Sequence, residues 1–144
     1  MLLVVVLVVF LFPGKESREI NVGQRVTGNL VQKTPATNIN YGNLPSFLSK
    51  NSVIKDIPDN IEILFRFYNF NSGSRAYEKT FILTKGSVVE GELDNPDLYL
   101  DIHSKYLNEW NSGNFCQIMT KANNNGDMGI SSELSTAKLL WKFK

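Results

Sequence analysis

Between Ile61 and Phe70 the chain alternates in a way that only a β-strand can use. Ile61, Ile63, Phe65 and Phe67 recur at every second position, while Glu62, Leu64, Arg66, Tyr68 and Phe70 take the places between them. Successive side chains of a strand point to opposite faces, so the first set shares one face and the second set the other. A face made of Ile and Phe must be covered by an equally apolar layer. The strand therefore belongs to a sheet packed on at least one side.

The following segments extend that sheet. Asn71-Ser72-Gly73-Ser74 has turn composition, and Tyr77–Thr84 and Ser87–Leu93 read as strands paired across Lys85-Gly86, with Phe81 and Leu83 inward. Residues 97–102 alternate again, with Leu98, Leu100 and Ile102 set against Asp97, Tyr99 and Asp101. Read as successive hairpins, these segments predict an antiparallel meander sheet of four to five strands.

Helices are predicted on either side. Pro45 suits the first turn of a short helix within 44–60 that ends at Pro58 and turns Phe47 and Leu48 inward. Ser104 is placed to cap a helix stopping at Gly113. Phe115, Ile118, Met119 and Ala122 have helical spacing before the Asn123-Asn124-Asn125-Gly126 break. Ile130, Leu134, Ala137 and Trp141 recur as one face of a last helix. The expected fold class is α+β, an antiparallel sheet with helices packed on one face.

The N-terminus stands apart. Leu2–Phe12 is an uninterrupted run of Leu, Val and Phe closed by Pro13-Gly14. As a helix its 11 residues span roughly 16 Å, short of the ~30 Å hydrocarbon core of a bilayer. No basic leader precedes it and no small-residue cleavage site follows. It reads either as part of a membrane anchor or as a strand buried on both faces, and the anchor is preferred because a small domain rarely covers both faces of a strand. The organisation expected is a hydrophobic segment at 1–14, a connector at 15–43 and an α+β domain at 44–144. The chain is then membrane-anchored through residues 1–12, with its side of the membrane open.

Few residue types carry chemistry. Fifteen Lys and Arg against 14 Asp and Glu leave a charge of +1, with no basic run, which argues against nucleic acid. Cys116 is alone, so no intrachain disulfide forms, and it is expected to be a small buried thiol. His103 is the only histidine and is expected at a surface or boundary. Glu90, Glu92, Asp94, Asp97 and Asp101 form a local acidic cluster, explained by turn chemistry and a solvent-facing strand edge. A calcium loop over 121–132 fails because it would begin with Lys121 and end with Ser132. No phosphate-cradling loop or nucleophile elbow is present. The expectation is a binding protein, not an enzyme, without cofactor or metal.

Phe65, Phe67, Phe81, Tyr106, Trp110, Phe115 and Trp141 are all placed to face the space between sheet and helices, as a filled core or as the walls of an apolar pocket. The candidate lining, chosen by expected burial, is Phe65, Phe67, Phe81, Leu100, Leu107, Trp110, Ile118 and Met119.

The order of several short motifs adds a resemblance. The aromatic strand 63–67 is followed by the Gly73 turn, the Tyr77 strand and the Lys85-Gly86 hairpin. Gly91, Asn95-Pro96-Asp97-Leu98-Tyr99-Leu100, the segment from Tyr106 to Gly113, and Gly126-Asp127-Met128-Gly129-Ile130 come next. Over residues 60–143 this succession resembles the sterol carrier protein type-two domain. The resemblance implies a five-stranded sheet with helices over a hydrophobic tunnel that binds sterols, fatty acyl chains or other lipids without chemistry. Between Gly113 and Gly126 the chain reads as helix and Asn-rich turn, where that family has a final strand. The function expected is binding of a lipid or other hydrophobic ligand by a membrane-tethered domain. The alternative is a structural or assembly protein, pilin-like or from an envelope, that packs through its N-terminal segment.

Overall fold

The alternating segment forms β1 (Ile63–Asn69), the central strand of a five-stranded sheet. The computed structural model describes residues 38–111 and 114–142. β2 (Ala76–Thr84), β3 (Ser87–Glu90), β4 (Leu98–His103) and β5 (Met128–Ser131) complete the sheet in the spatial order β3-β2-β1-β4-β5. β1–β2, β2–β3 and β4–β5 are antiparallel, but β1 and β4 run parallel, Ile63 opposite Leu98 and Tyr68 opposite His103. The sheet is mixed, which corrects the expected antiparallel meander.

The reason lies in residues 91–97. They carry the chain from the β3 edge to the far side of β1, three strand spacings or roughly 14 Å. Asn95 takes φ 58° before Pro96, a left-handed conformation that Asn tolerates, and the Asp97 backbone N–H donates to the Glu62 carbonyl at 2.9 Å. The segment thus docks at the start of β1 and launches β4 beside it in the same direction.

The inner face carries Ile63, Phe65, Phe67, Phe81, Leu83, Val88, Leu98 and Ile102, all buried. They form one core cluster with residues of five short helices. Leu44 and Leu48 come from α1 (Leu44–Leu48), Ile54 from α2 (Ser52–Lys55), and Tyr106 and Leu107 from a 3₁₀ helix (Ser104–Glu109). Phe115, Ile118, Met119 and Ala122 come from α3 (Phe115–Asn124), and Leu139 from α4 (Thr136–Lys142). Leu64 and Tyr68 are also buried, on the opposite face and outside this cluster.

Several local expectations change. The helix expected within 44–60 is two helices, because Asn51 adopts an extended conformation and its side chain caps Val53. Ser104 begins a 3₁₀ helix that stops at Glu109, and its cap is the preceding His103, whose Nδ1 accepts from Lys105 N–H at 3.1 Å. Ile130 lies in β5, not on the last helix, and Trp141 is 77% exposed. Cys116 is exposed, one position off the buried face of α3. The hydrophobic segment at 1–14 lies outside the described residues. Among those residues no helix is long and apolar enough to cross a membrane.

Candidate functional site

The eight candidate lining residues converge. Phe65, Phe67, Phe81, Leu107, Trp110, Ile118 and Met119 are buried in the single core cluster, and half-buried Leu100 packs against it. β1 presents Phe65 and Phe67, two residues apart on one face, with ring centroids 4.8 Å apart. The 3₁₀ helix ends just before Trp110, whose indole stacks on Phe65 at 5.9 Å with the planes only 7° apart. Trp110 also meets Phe67 at 5.9 Å and Phe115 edge-on at 5.7 Å. Phe81 stands edge-on to Phe67 at 6.0 Å. Offset and edge-to-face pairs at these distances are the favoured aromatic geometries.

One buried polar atom in this interior is unsatisfied. Trp110 is 3% exposed, yet among the described residues its Nε1–H has no hydrogen-bond partner. A buried donor without an acceptor costs about 1–3 kcal/mol, and a buried Trp usually finds one for its N–H. The neighbouring hydroxyl of Tyr106 is, by contrast, fully engaged. It donates to Asp127 at 2.7 Å and accepts from the Asn125 side chain at 2.8 Å.

Aromatic residues outside the candidate set also share the interior, Tyr106 and Phe115 within the cluster and Tyr41 and Phe47 packed against it. Phe115 closes one side of Trp110, and its helical spacing made it legible. Tyr41 packs edge-on to Phe67 at 5.3 Å, but it lies in a stretch of Asn, Thr, Pro and Gly that reads as loop. Its hydroxyl donates to Glu78, the extra residue of a β-bulge between β1 and β2, and Asn69 donates to the same carboxylate. Burial pushes the Tyr41 hydroxyl well above its ordinary pKa, and the neighbouring Glu78 adds to this. Burial tends to raise the Glu78 carboxyl, but the hydrogen bonds from Tyr41 and Asn69 outweigh it and hold it below its ordinary value.

Two surface depressions lie elsewhere. One of about 520 Å³ follows the polar side of α3, lined by Cys116, Gln117, Thr120, Lys121, Asn124 and Asn125. The other, about 370 Å³, is lined by Leu134, Ala137, Lys138, Trp141 and Lys142. Neither includes any of the eight candidates.

The acidic cluster is dispersed by the fold. Asp97 accepts from Glu62 N–H at 3.0 Å and pairs with Lys142 at 2.5 Å, while Glu90 pairs with Lys79 and Glu92 accepts from Thr80 at 2.7 Å. Asp101, expected to face solvent, is 7% exposed. The parallel β1–β4 pairing sets it beside Arg66, which donates to its two oxygens at 2.7 and 3.0 Å. Tyr77 adds a hydroxyl at 3.1 Å. Burial acts to lower the Arg66 pKa, but the bonds and charge of Asp101 prevail and raise it. Among the described residues no three His, Cys, Asp or Glu side chains gather as metal ligands.

No family model matches the chain, and no curated protein matches it. A solved structure described as UbiJ-SCP2, a ubiquinone synthesis protein, superposes with a TM-score of 0.40 at 9% identity. The match covers 64% of this chain and 81% of that one. A likeness this slight carries no argument, so the interior described above has to speak for itself.

Proposed function

We propose that this domain binds a neutral hydrophobic ligand, without chemistry, between the inner face of the sheet and the layer of short helices. The observation that carries the proposal is the unpartnered Trp110 Nε1–H within the aromatic cluster. It is one fixed donor in otherwise apolar surroundings, the composition expected of a site that takes an apolar body and orients it by a single polar atom. Its ring neighbours are Phe65, Phe67 and Phe115, none of them a cation. A carboxylate there would be buried without a counter-charge, which is prohibitive. A carbonyl, ester or hydroxyl oxygen satisfies the donor at no such penalty.

Entry requires the helical layer to move from the sheet. That layer is thin at this point: a six-residue 3₁₀ helix, whose hydrogen bonds are poorly aligned, and the ten-residue α3. Local openings draw on such elements first. We further propose that Leu2–Phe12 tethers the domain to a membrane, which would place it beside its ligand.

A test uses Trp141→Phe, which removes an exposed indole and leaves Trp110 as the only tryptophan. Titration with the methyl ester of a dibrominated fatty acid is expected to quench the remaining emission in a saturable way. Absence of quenching by this ester and by a brominated sterol analogue overturns the proposal. The competing reading, an assembly subunit, is favoured by the exposed Trp141 and Leu140 on α4. It predicts that Trp141→Ala disperses an oligomer while leaving ester binding absent.

A further inference from the structure

The outer face of the sheet holds two arginines around one carboxylate. Asp101 spends both oxygens on Arg66, and Tyr77 donates to the second of them. The Arg66 guanidinium is held flat between two rings, 4.4 Å from the Tyr77 centroid and 4.6 Å from that of Tyr99. Arg75 is placed differently. Its guanidinium lies 4.1 Å over the Tyr68 ring and 6.0 Å from Phe70, and its nearest carboxylate oxygen, on Asp101, is 3.7 Å away. That is an ion pair but too long for a hydrogen bond. Among the described residues the Arg75 guanidinium makes no hydrogen bond.

The charges do not cancel. Two guanidinium groups face one carboxylate that already accepts three hydrogen bonds, two from Arg66 and one from Tyr77, so one positive charge is left over. Stacking on Tyr68 orients the Arg75 fork without consuming its donors, which is how a guanidinium is prepared for a planar or tetrahedral oxyanion. The surroundings are apolar and accessible: Phe70 is 50% exposed and Tyr77 46%, and the Arg75 side chain is 44% exposed. Tyr68 itself is buried and braced by His103 at 5.3 Å and by Phe70 edge-on at 5.6 Å, so the platform is fixed.

We infer that Arg75, on its Tyr68 platform, forms a binding site on the outer sheet face for an oxyanion carried by an apolar body. The oxyanion bonds to the Arg75 fork, and the body lies against Phe70 and Tyr77. The interior is not involved, so this site stands or falls independently of the ligand proposed there. The same chemistry is offered by a small aryl phosphate or by an anionic lipid headgroup.

The test titrates the full chain with phenyl phosphate, inorganic phosphate and phenol, following the Arg75 side-chain Nε–H resonance. Phenyl phosphate is expected to bind at least roughly tenfold tighter than either fragment, because charge-assisted bonds and ring contact act together. Arg75→Gln should abolish the binding and Arg75→Lys should weaken it, with the melting temperature unchanged in both. A second arm compares wild type and Arg75→Gln on phosphatidylglycerol and phosphatidylcholine vesicles. Loss of a phosphatidylglycerol preference in the variant assigns the headgroup source, and no difference assigns the soluble one, provided phenyl phosphate binds. If phenyl phosphate does not bind, or binds Arg75→Gln as well as wild type, the inference is overturned.

Discussion

The two faces of this sheet are built from neighbouring residues of one strand, yet they solve opposite problems. On the inner face Phe65 and Phe67 are closed over by rings and aliphatic groups, and the Nε1–H of Trp110 packed there has no partner among the described residues. On the outer face Arg66 and Tyr68 stand among charges and hydroxyls, and the carboxylate of Asp101 accepts three hydrogen bonds. The inner face has a donor in want of an acceptor among apolar side chains. The outer face has a surplus cation at an accessible surface. Stability and unmet polar demand are therefore separable on this molecule, because the first is apolar burial and the second is a matter of two donors.

Phe67→Ala removes a fully buried ring from the centre of the cluster and is expected to cost about 3–5 kcal/mol in urea unfolding. Tyr77→Ala, on the outer face, loses one hydrogen bond to Asp101 and a ring contact with Arg66, and should cost about 1–3 kcal/mol, less than Phe67→Ala. Equal losses would mean that the outer face carries as much of the fold as the core. Asp101→Asn leaves Arg66, partly buried, without its carboxylate, and a loss of about 1–3 kcal/mol is expected by the same measurement. Trp110→Phe gives up part of a ring but also the unpaired donor, so its net cost should be only about 1 kcal/mol, much smaller than for Phe67→Ala.

The smallest effect concerns acid. Burial acts to raise the Asp127 carboxyl, but hydrogen bonds from Lys105 and Tyr106 hold it below its ordinary value, and Glu78 is lowered likewise. A carboxylate with a lowered native pKa adds stability that is complete above its unfolded pKa of about 4 and is lost as pH falls through the native value. Melting temperature should therefore decline on acidification below pH ~4. Asp127→Asn should flatten part of that decline. A variant with the wild-type slope would show that Asp127 contributes nothing to it.

The same contrast explains what was legible in the sequence. Period-two alternation placed β1 and sorted its faces, and helical spacing found the buried side of α3, because both patterns are local. The parallel partner of β1 was not legible, since residues 91–97 read equally well as a hairpin connection or as a crossover. That one pairing decides the outer face, for it alone sets Asp101 beside Arg66 and buries a residue that alternation assigns to solvent. The role of Tyr41 was hidden for a similar reason: its partners, Phe67 and Glu78, are distant in sequence. That the eight candidates lie in or against the core was legible, since burial follows from pattern. The bare Nε1 of Trp110 was not, since an unmet hydrogen bond has no sequence signature.

The proposed interior site accepts a neutral ligand oxygen on Trp110 Nε1–H. Protein labelled with ¹⁵N in its two tryptophans gives two indole signals, with exposed Trp141 as the internal control. Addition of a fatty acid methyl ester should move the Trp110 indole proton downfield, as on acquiring an acceptor, while a hydrocarbon of equal length leaves it unbonded. An indole signal of Trp110 that stays in place with the ester, or that moves equally with the hydrocarbon, contradicts the account.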